Sequence, residues 1–239
     1  MKSKIKRVGF GLKNFDRLIE GGFEENSTNL VVGGPGSGKT IFATQFLINC
    51  MDRGENALFV TFEEKKEQFY THMLEFGWDL EKYEKKGLFT FLEYAPAKVK
   101  TMLEEGGGSI ETIIISKKIT RLVIDSITSF ALLFEGESAK REAALSLFNM
   151  IRKWNCTSLL TLEIDLLEES LSDNTQTKAL EFESDSIIVI YFVRDKGKRQ
   201  RFLEILKMRG TKHSEQTFKF NVGKNGIAID KKSSNIPKK

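Results

Sequence analysis

The chain has 239 residues, with 37 lysines and arginines against 33 aspartates and glutamates, a net charge of +4, and 40% hydrophobic residues. Three prolines, two cysteines and 19 phenylalanines exclude the collagen-like, disulfide-rich and disordered classes and provide a large apolar core. No linker or internal repeat divides the sequence, so we predict one domain over residues 1–239. Within it we distinguish an N-terminal segment, 1–28, and a basic C-terminal tail, 230–239.

The sequence favours a cytoplasmic protein that does not cross a membrane. Its basic start, MKSKIKR, leads into Val8-Gly9-Phe10-Gly11 rather than the apolar core of a signal peptide. The longest apolar run, residues 187–193, is about a third of the length that a membrane-spanning helix requires. We interpret Cys50 and Cys156 as buried apolar side chains in a reducing compartment.

Short apolar runs alternate with helical periodicity through the first half of the chain. We predict strands over residues 29–32, 57–62, 88–92 and 121–125 and helices over residues 40–52 and 65–76. The isoleucine-rich segment after Gly106, Gly107 and Gly108 fits either type, and we favour a helix. This alternation is typical of a parallel sheet covered by helices.

Strands follow one another in the second half of the chain. After a helix that runs from an N-cap at Ser138 to Trp154, we predict strands over residues 157–162, 186–192 and 201–208. A hairpin joins residues 218–222 to 227–229 through the turn 223–226. The expected fold class is therefore α/β, a mostly parallel twisted sheet flanked by helices with antiparallel strands at its C-terminal edge.

The segment GGPGSGKT, residues 33–40, matches the phosphate-binding loop pattern at every fixed position, between a predicted strand and a predicted helix. Glycines allow backbone N–H groups to converge on phosphate oxygens at the start of a helix. Lys39 would neutralise the β- and γ-phosphates, and the Thr40 hydroxyl would bind Mg²⁺, so ATP and Mg²⁺ are the expected ligands. An ordinary glycine-rich turn is the alternative. The candidate nucleotide-binding residues here are Gly34, Pro35, Gly36, Ser37, Gly38, Lys39, Thr40 and Ile41.

Carboxylates follow two other predicted strands. Asp125 ends the apolar run 121–125 and suits a Mg²⁺ partner, directly or through water, although an aspartate at a strand end also often caps a turn. Glu63 and Glu64 follow the strand at 57–62, at the edge where parallel sheets bind ligands, and could orient or deprotonate water. Two adjacent glutamates are otherwise usually a solvated helix start.

These residues resemble the single-domain relatives of KaiC, within the RecA/RadA group of ATPases. The resemblance runs through GFGLKNFDRLIEGGF, GGPGSGKT, FVTFEE, FGWDL, LVIDSITS, EFESDS and LEILKMRGTKH. It implies a RecA-like P-loop NTPase fold, ATP hydrolysis, and a homo-oligomer, most simply a homohexameric ring. FEE and LKMRGT in this order are more specific to this family than the phosphate-binding loop alone.

The resemblance also implies that the last motif acts across a subunit boundary. Lys207 and Arg209 are two residues apart on a predicted strand, so both side chains leave one face and could reach the same phosphate group. By resemblance, Arg209 is an arginine finger supplied to the neighbouring subunit with Lys207 beside it, and Thr211 and His213 lie near that neighbour's nucleotide. Two cations on an edge strand are otherwise usually a solvated face.

The sequence departs from the family's self-phosphorylating domain. A Ser-Thr pair precedes the corresponding strand there, whereas this chain has Glu181-Phe182-Glu183. Autokinase activity is therefore not supported, and the resemblance is to the hydrolysing domain. We predict a slow ATPase that couples its nucleotide state to an unidentified partner protein; a nucleotide-gated scaffold with little turnover is the alternative.

A third hypothesis, a RadA-like accessory of DNA recombination, conflicts with charge. Residues 163–185 carry eight acids and one base, Lys178, where a DNA-binding channel requires cations. A basic patch at residues 194–201 is the exception, and we interpret it as a solvated hairpin tip, with nucleotide phosphate or an acidic partner as alternatives. Nucleic acid is therefore not an expected partner.

Overall fold

A computed structural model describes residues 5–94, 101, 108–164, 180, 182–195 and 197–237 of the chain. The strands, in chain order, are β1 (Arg7–Val8), β2 (Phe23–Glu24), β3 (Thr28–Gly33), β4 (Asn56–Thr61), β5 (Phe89–Glu93), β6 (Ile119–Asp125), β7 (Thr157–Glu163), β8 (Ser186–Asp195), β9 (Lys198–Met208), β10 (Phe218–Gly223) and β11 (Gly226–Ser233). The helices are α1 (Lys13–Leu18), α2 (Lys39–Asp52), α3 (Lys66–Leu74), α4 (Leu80–Lys85), α5 (Gly108–Ser116), α6 (Ile127–Ala131) and α7 (Glu137–Lys153).

Nine of these strands form one sheet, in the order β11-β10-β9-β8-β3-β7-β6-β4-β5. The pairings from β8 through β3, β7, β6 and β4 to β5 are all parallel, and β9, β10 and β11 continue the sheet with antiparallel pairings. The predicted α/β class with antiparallel strands at the C-terminal edge is confirmed. β3 lies in the interior of the sheet, between β7 and β8.

Two apolar layers cover the two faces of the sheet, because neighbouring residues of a strand point to opposite faces. On β3, Val31 packs into the layer that contains α1, α2 and α3, whereas Leu30 and Val32 pack into the layer that contains α5, α6 and α7. β6 repeats this division with Val123 on one face and Ile124 on the other. Strands buried on both faces explain the uninterrupted apolar runs in the sequence.

The N-terminal segment packs against the helix that follows the phosphate-binding loop. β1 and β2 form a separate antiparallel pair, and α1 lies between them in sequence. Phe10 is fully buried, with its ring centroid 4.3 Å from that of Phe42 on α2 and 5.0 Å from that of Phe15 on α1. An aromatic cluster therefore joins residues 7–24 to the main core.

Most of the predicted elements occur within one or two residues of their expected bounds. The isoleucine-rich segment is helical, as favoured, and the C-terminal hairpin turns more tightly than expected, since Gly223 pairs with Gly226. The predicted N-cap of the long helix was wrong. α7 begins at Glu137 with Gly136 as its N-cap, so Ser138 lies inside the first turn.

Part of the charge argument concerns residues outside the described part of the chain. Of the eight acids in residues 163–185, Glu163, Glu183 and Asp185 are described, whereas the other five and the one base, Lys178, lie outside the described residues. The argument from its sequence composition therefore stays a prediction. Glu181 of the segment 181–183 and Lys196 of the basic patch are also outside the described residues.

Both cysteines are free, buried thiols, as predicted. Burial raises the pKa of Cys50 to about 12 and that of Cys156 to about 11, so both remain protonated at neutral pH. Among the described helices, none is long and apolar enough to cross a membrane.

Replacing Phe10 with alanine should lower the free energy of unfolding by about 3–5 kcal/mol, because it removes a fully buried ring and leaves a cavity against α2. Urea denaturation followed by circular dichroism would measure the change. Leu132→Ala is the control, since Leu132 is 75% exposed and its truncation should change stability by less than about 0.5 kcal/mol. Equal effects of the two substitutions would contradict a structural role for the aromatic cluster.

Candidate active site

The loop between β3 and α2 has the backbone conformation that its glycines predict. Gly36 and Gly38 have φ angles of +67° and +105°, a region that side-chain-bearing residues rarely adopt. Gly38 is the N-cap of α2 and has no side chain to bind the free N–H groups of the first turn. Those N–H groups and the positive end of the helix dipole are therefore available to an anion.

Lys39, the first residue of α2, bends back over this loop. Its Nζ donates to the carbonyl oxygens of Gly33 at 2.8 Å and Gly34 at 3.0 Å, and lies 3.3 Å from Oε2 of Glu163 at the end of β7. The lysine side chain is 8% exposed and that of Glu163 is 47% exposed. A largely buried ammonium group is thus held over the loop by two carbonyls and one acid that solvent reaches.

Asp125, at the end of β6, is surrounded by hydroxyl groups. It accepts hydrogen bonds from Thr40 at 2.8 Å and from Thr161. Thr161 lies on β7, the strand between β3 and β6. Burial raises the pKa of Asp125 above its ordinary value, and the two hydroxyl donors and Lys39 partly offset this effect. A carboxylate and a hydroxyl in contact are a donor set suited to Mg²⁺, which binds one or two protein oxygens and takes its other ligands from water and phosphate.

Glu63 and Glu64 follow β4 and are held by different partners. Oε1 of Glu63 accepts a hydrogen bond from Ser126 at 2.9 Å and another from Ser129. Ser126 follows Asp125 in the sequence, and Ser129 lies on the short helix α6. Oε1 of Glu64 lies 2.7 Å from Nδ1 of His72 on α3. The two adjacent carboxylates are thus turned toward opposite neighbours, with Glu63 on the side of Asp125.

A cleft of about 290 Å³ joins the loop to these acids. The predicted residues that line it are Gly36, Gly38, Lys39, Thr40, Ile41, Glu63, Glu64 and Asp125. Gly34, Pro35 and Ser37 belong to the same loop but face elsewhere: Pro35 is exposed, and the Ser37 side chain is fully buried. The structure therefore brings the lysine, the hydroxyl and three carboxylates from three separate strand ends, those of β3, β4 and β6, into one cleft.

A second hollow, about 580 Å³, lies between α3 and α4. Its charged groups already pair with one another: Lys66 lies 2.7 Å from Glu84, and the Tyr70 hydroxyl donates to Glu84 at 3.1 Å. This hollow is larger than the cleft, but among the described residues that line it there is no glycine-rich loop that leads into a helix, as there is in the cleft. The cleft is therefore the better candidate for phosphate chemistry.

Lys207 and Arg209 lie at the opposite end of the sheet from the phosphate-binding loop. β9 is antiparallel to β8, so Lys207 pairs with Ile187, whereas Gly33 at the loop is level with Ile190. The Arg209 backbone N–H donates to Asp185, which also accepts from the N–H of Thr28 at the start of β3. At about 3.3 Å per residue, the five residues from Thr28 to Gly33 separate Arg209 from the loop by about 17 Å.

The two basic side chains share one contact segment, residues 182–185. Lys207 donates to the Ser184 carbonyl at 2.7 Å, and Arg209 donates to the Phe182 carbonyl and lies 3.5 Å from Asp185. The Arg209 side chain is 51% exposed. Both residues thus occupy one surface, far from the loop of their own chain.

Thr211 and His213 lie beside the N-terminal segment. The Thr211 hydroxyl accepts from Arg7 at 3.0 Å and donates to the Arg209 carbonyl at 3.3 Å. His213 contacts the carbonyl of Ser214, whose backbone N–H donates to Leu18. They therefore share the Arg209 end of the sheet and do not line the cleft of their own chain.

Sequence reasoning missed three groups that line the cleft, Ser126, Glu163 and Arg201. It also missed three that contact the acids of the cleft, Thr161, Ser129 and His72. A polar residue at the carboxyl end of a predicted strand, as in TLE at 161–163, was an available signal for Glu163 and Thr161. Arg201 lines the cleft and donates to two carbonyls of the loop. Its assignment to a solvated hairpin tip was wrong, because the register of β8 and β9 places it against the loop.

A family model for the KaiC ATPase matches residues 8–234 of this chain. Among curated proteins, the circadian clock protein KaiC3 of Synechocystis is 31% identical over 233 residues, which cover 94% of this chain and 46% of that protein. This chain therefore spans about half the length of that relative. A UPF0273 protein of Pyrococcus furiosus is 31% identical over 238 residues, covering 94% of each chain.

Among solved structures, the crystal structure of a KaiC-like protein from Pyrococcus horikoshii superposes with a TM-score of 0.83. The two sequences are 36% identical, and the match covers 95% of this chain and 100% of the other. The resemblance noted in the sequence and the expected fold class are confirmed.

Asp125→Asn should raise the thermal midpoint of the metal-free protein at pH 8. A raised folded-state pKa means that Asp125 contributes stability below the ordinary value of 3.8, and that this contribution is lost as the pH rises through the folded-state pKa. At pH 8 the buried charge therefore destabilises the fold, and asparagine removes it. A gain of about 1 kcal/mol corresponds to about 2–4 °C for a chain of this size.

Differential scanning calorimetry in EDTA would measure this midpoint, with Asp230→Asn as the control because Asp230 is exposed. The advantage of Asp125→Asn should shrink toward pH 4. A midpoint at pH 8 equal to or below that of the wild type would contradict the electrostatic argument.

Proposed function

Since this chain belongs to the KaiC ATPase family, we propose that it binds ATP with Mg²⁺ and hydrolyses it slowly in a ring with active sites at subunit interfaces. The observation that carries the proposal is the single cleft in which Lys39, Thr40, Asp125 and the Glu63-Glu64 pair meet. The proposed role is to couple nucleotide state to a partner protein in the cytoplasm.

Binding follows from the loop and the first turn of α2. The free N–H groups bind phosphate oxygens, and the Lys39 ammonium exchanges its contacts with Gly33, Gly34 and Glu163 for the β- and γ-phosphates. Thr40 and Asp125 are the residues that would hold Mg²⁺. When bound, Mg²⁺ would supply positive charge that offsets the negative charge of the phosphates.

Glu63 is the residue we propose to activate water. Ser126 and Ser129 hold its Oε1, and no hydrogen bond to its Oε2 occurs among the described residues, so that oxygen can accept a proton from water. The water oxygen then bonds to the γ-phosphorus as the bond from phosphorus to the leaving oxygen of ADP breaks. Glu64, paired with His72, lines the same cleft beside Glu63.

The transferring phosphoryl group also needs positive charge on its outer side. Counted along β3 at about 3.3 Å per residue, Arg209 lies about 17 Å from its own loop. Lys207 is level with Leu30, about 10 Å from the loop, and its side chain binds the Ser184 carbonyl at the Arg209 end of the sheet. We infer that they serve the neighbouring subunit, with Thr211 and His213 beside them, in a homohexamer. Autokinase activity is not part of the proposal, because Phe182 and Glu183 stand where the self-phosphorylating domain has hydroxyl residues.

A scaffold that binds ATP with little turnover would use the same loop and the same ring. The position of Glu63, fixed by two hydroxyl groups, favours hydrolysis, since a scaffold needs no oriented base. Steady-state phosphate release separates the two functions. Binding of single-stranded DNA in the presence of ATP at low salt would instead favour the DNA accessory.

Mixing two inactive variants should restore hydrolysis if the sites are shared. Glu63→Gln with Glu64→Gln removes the carboxylates, and Arg209→Ala removes the finger; each alone should reduce turnover by at least about tenfold. In a random one-to-one ring, about a quarter of the interfaces combine intact carboxylates with an intact arginine, so the mixture should reach about a quarter of the wild-type rate.

A phosphate-release assay on co-refolded or exchanged mixtures would measure this recovery. Arg194→Ala is the matched control, because Arg194 is an exposed arginine on β8 rather than at the Arg209 end of β9. Full activity of the Arg209→Ala variant alone would exclude the proposed finger. No recovery in the mixture would place both functions within one chain.

Assembly provides an independent measurement. Light scattering after size-exclusion chromatography, with ATP and Mg²⁺, should give about six times the monomer mass of 27.2 kDa. Arg209→Ala should weaken this nucleotide-dependent assembly, because its contact with the neighbour's phosphate is lost. A monomer under every nucleotide condition would contradict the shared site.

A further inference from the structure

Arg201 connects the phosphate-binding loop to the antiparallel part of the sheet. β8 continues past Ile190, the residue level with Gly33, and ends at Asp195. Two residues past that level, Phe192 pairs with Arg201 on β9. This overhang places the guanidinium group over the outer side of the loop. Nε donates to the Ser37 carbonyl at 3.0 Å, and Nη2 donates to the Gly36 carbonyl at 2.9 Å.

An aromatic ring fixes the direction of this side chain. The guanidinium carbon of Arg201 lies 4.2 Å from the centre of the Phe192 ring, within the range of a cation–π contact. Phe220, the partner of Arg201 on β10, is buried and holds the other side of the strand. The planar fork of the guanidinium is therefore oriented by packing before it meets the two carbonyls.

The two carbonyls belong to the peptide groups whose N–H ends are those of Ser37 and Gly38. A cation at the oxygen of a peptide group polarises the group and strengthens its N–H as a donor. Gly36 and Gly38, which have positive φ angles, give the loop many alternative conformations in the absence of external contacts. Lys39 binds the carbonyls of Gly33 and Gly34 from within the loop. Arg201 binds those of Gly36 and Ser37 from outside.

We propose that Arg201 is a positioning residue of the phosphate-binding loop, which holds the peptide groups of Gly36 and Ser37 in the conformation that receives a nucleotide phosphate. The contact of Arg201 with the loop exists in the nucleotide-free chain and does not depend on the proposed function. Only the expected effect on nucleotide affinity rests on that function. Arg201 acts through the backbone of the loop and is not proposed to touch the reacting atoms.

Arg199 offers a matched control two residues away. Its guanidinium lies 5.0 Å from the centre of the same Phe192 ring, so it shares the charge and the aromatic contact of Arg201. Among the contacts of the described residues, it has no hydrogen bond to the loop. Arg201→Gln and Arg199→Gln therefore remove the same charge and differ in the contact with Gly36 and Ser37.

The first measurement is amide hydrogen exchange by mass spectrometry on the nucleotide-free proteins. The peptide that covers residues 33–40 should exchange at least about tenfold faster in Arg201→Gln than in the wild type, whereas Arg199→Gln should match the wild type. Peptides from β4 and β6 should be unchanged in both variants. Equal exchange of the loop in Arg201→Gln and the wild type would overturn the proposal.

The second measurement is the affinity for Mg-ADP by isothermal titration. Arg201→Gln should raise Kd at least about tenfold, and Arg201→Lys should recover part of the loss, because an ammonium group can bridge only one carbonyl at good geometry. Added guanidinium chloride at low millimolar concentration should restore binding to Arg201→Ala, and equal sodium chloride should not. A purely structural effect would not respond to the added cation, and that result would overturn the role in binding.

The two measurements keep this proposal apart from the proposed function. Faster loop exchange in Arg201→Gln, with a wild-type chain that binds no nucleotide, would support the positioning role and contradict the ATPase. Normal ADP binding by the wild type, with identical Kd values for Arg201→Gln and Arg199→Gln, would support nucleotide binding and contradict the effect of Arg201 on affinity.

Discussion

The position of β3 between two parallel neighbours determines where every group of the candidate site lies. Parallel strands cannot be joined by hairpins, so each carboxyl end leads into a loop or helix at the same edge of the sheet. β3 delivers the phosphate-binding loop there, β6 delivers Asp125 and β7 delivers Glu163, although these residues are far apart in sequence. If one of these strands shifted by one residue against its neighbour, its functional side chain would point into an apolar layer. An apolar side chain would then point into the cleft. The two buried faces of the sheet therefore hold the chemistry in place, because neither face tolerates such a slip.

The predicted residues that the structure brings into the cleft are those whose position follows from local pattern and from the rule that parallel strands end at one edge. Lys39, Thr40 and Asp125 each end or follow an apolar run of recognisable length, so placing the strands also placed the residues. The partners of Thr161 and Ser129 could not be found in that way, although the position of Thr161 near a strand end carried a signal. The contact of Thr161 with Asp125 requires β7 beside β6, and that of Ser129 with Glu63 requires β4 beside β6. Arg201 was misassigned for a related reason: whether an arginine near a hairpin tip meets solvent or the loop depends on how far β8 extends past β3. The alternation of residues along a strand predicts which face of the sheet each side chain joins. It does not predict how far the strand extends past its neighbour.

Electrostatics explains why the cleft suits a ligand that carries both charge signs. In the chain alone, Lys39 is satisfied by two carbonyls and a half-exposed glutamate, and the buried Asp125 has only hydroxyl donors in direct contact. Each charge therefore has partners that are weaker than a full counter-charge in the same place. An anion at the loop and a cation at Asp125 would replace these partners with stronger ones. Burial raises the pKa of Asp125, and a cation beside the carboxylate would act against this effect. The fold thus keeps local electrostatic strain where binding would relieve it.

β9 is the element in which the proposals meet, because it carries functional cations at both of its ends. Arg201 holds the loop of its own chain, and Lys207 and Arg209 lie about six to eight residues further on, about 20–27 Å away at 3.3 Å per residue. Hydrogen bonds to β8 run along this whole length, with one bulge at Leu206 directly before the second pair. In the proposed ring, a movement of the loop that displaces Arg201 would therefore act on the same paired strand that presents Arg209 to the next subunit. Such coupling needs two arrangements of β9 that differ in nucleotide affinity, since a strand that only lies between two sites transmits nothing. The bulge at Leu206 is where two arrangements of β9 would differ, because the pairing with β8 is already interrupted there. Residues after the bulge could then change orientation without breaking the pairing at Arg201.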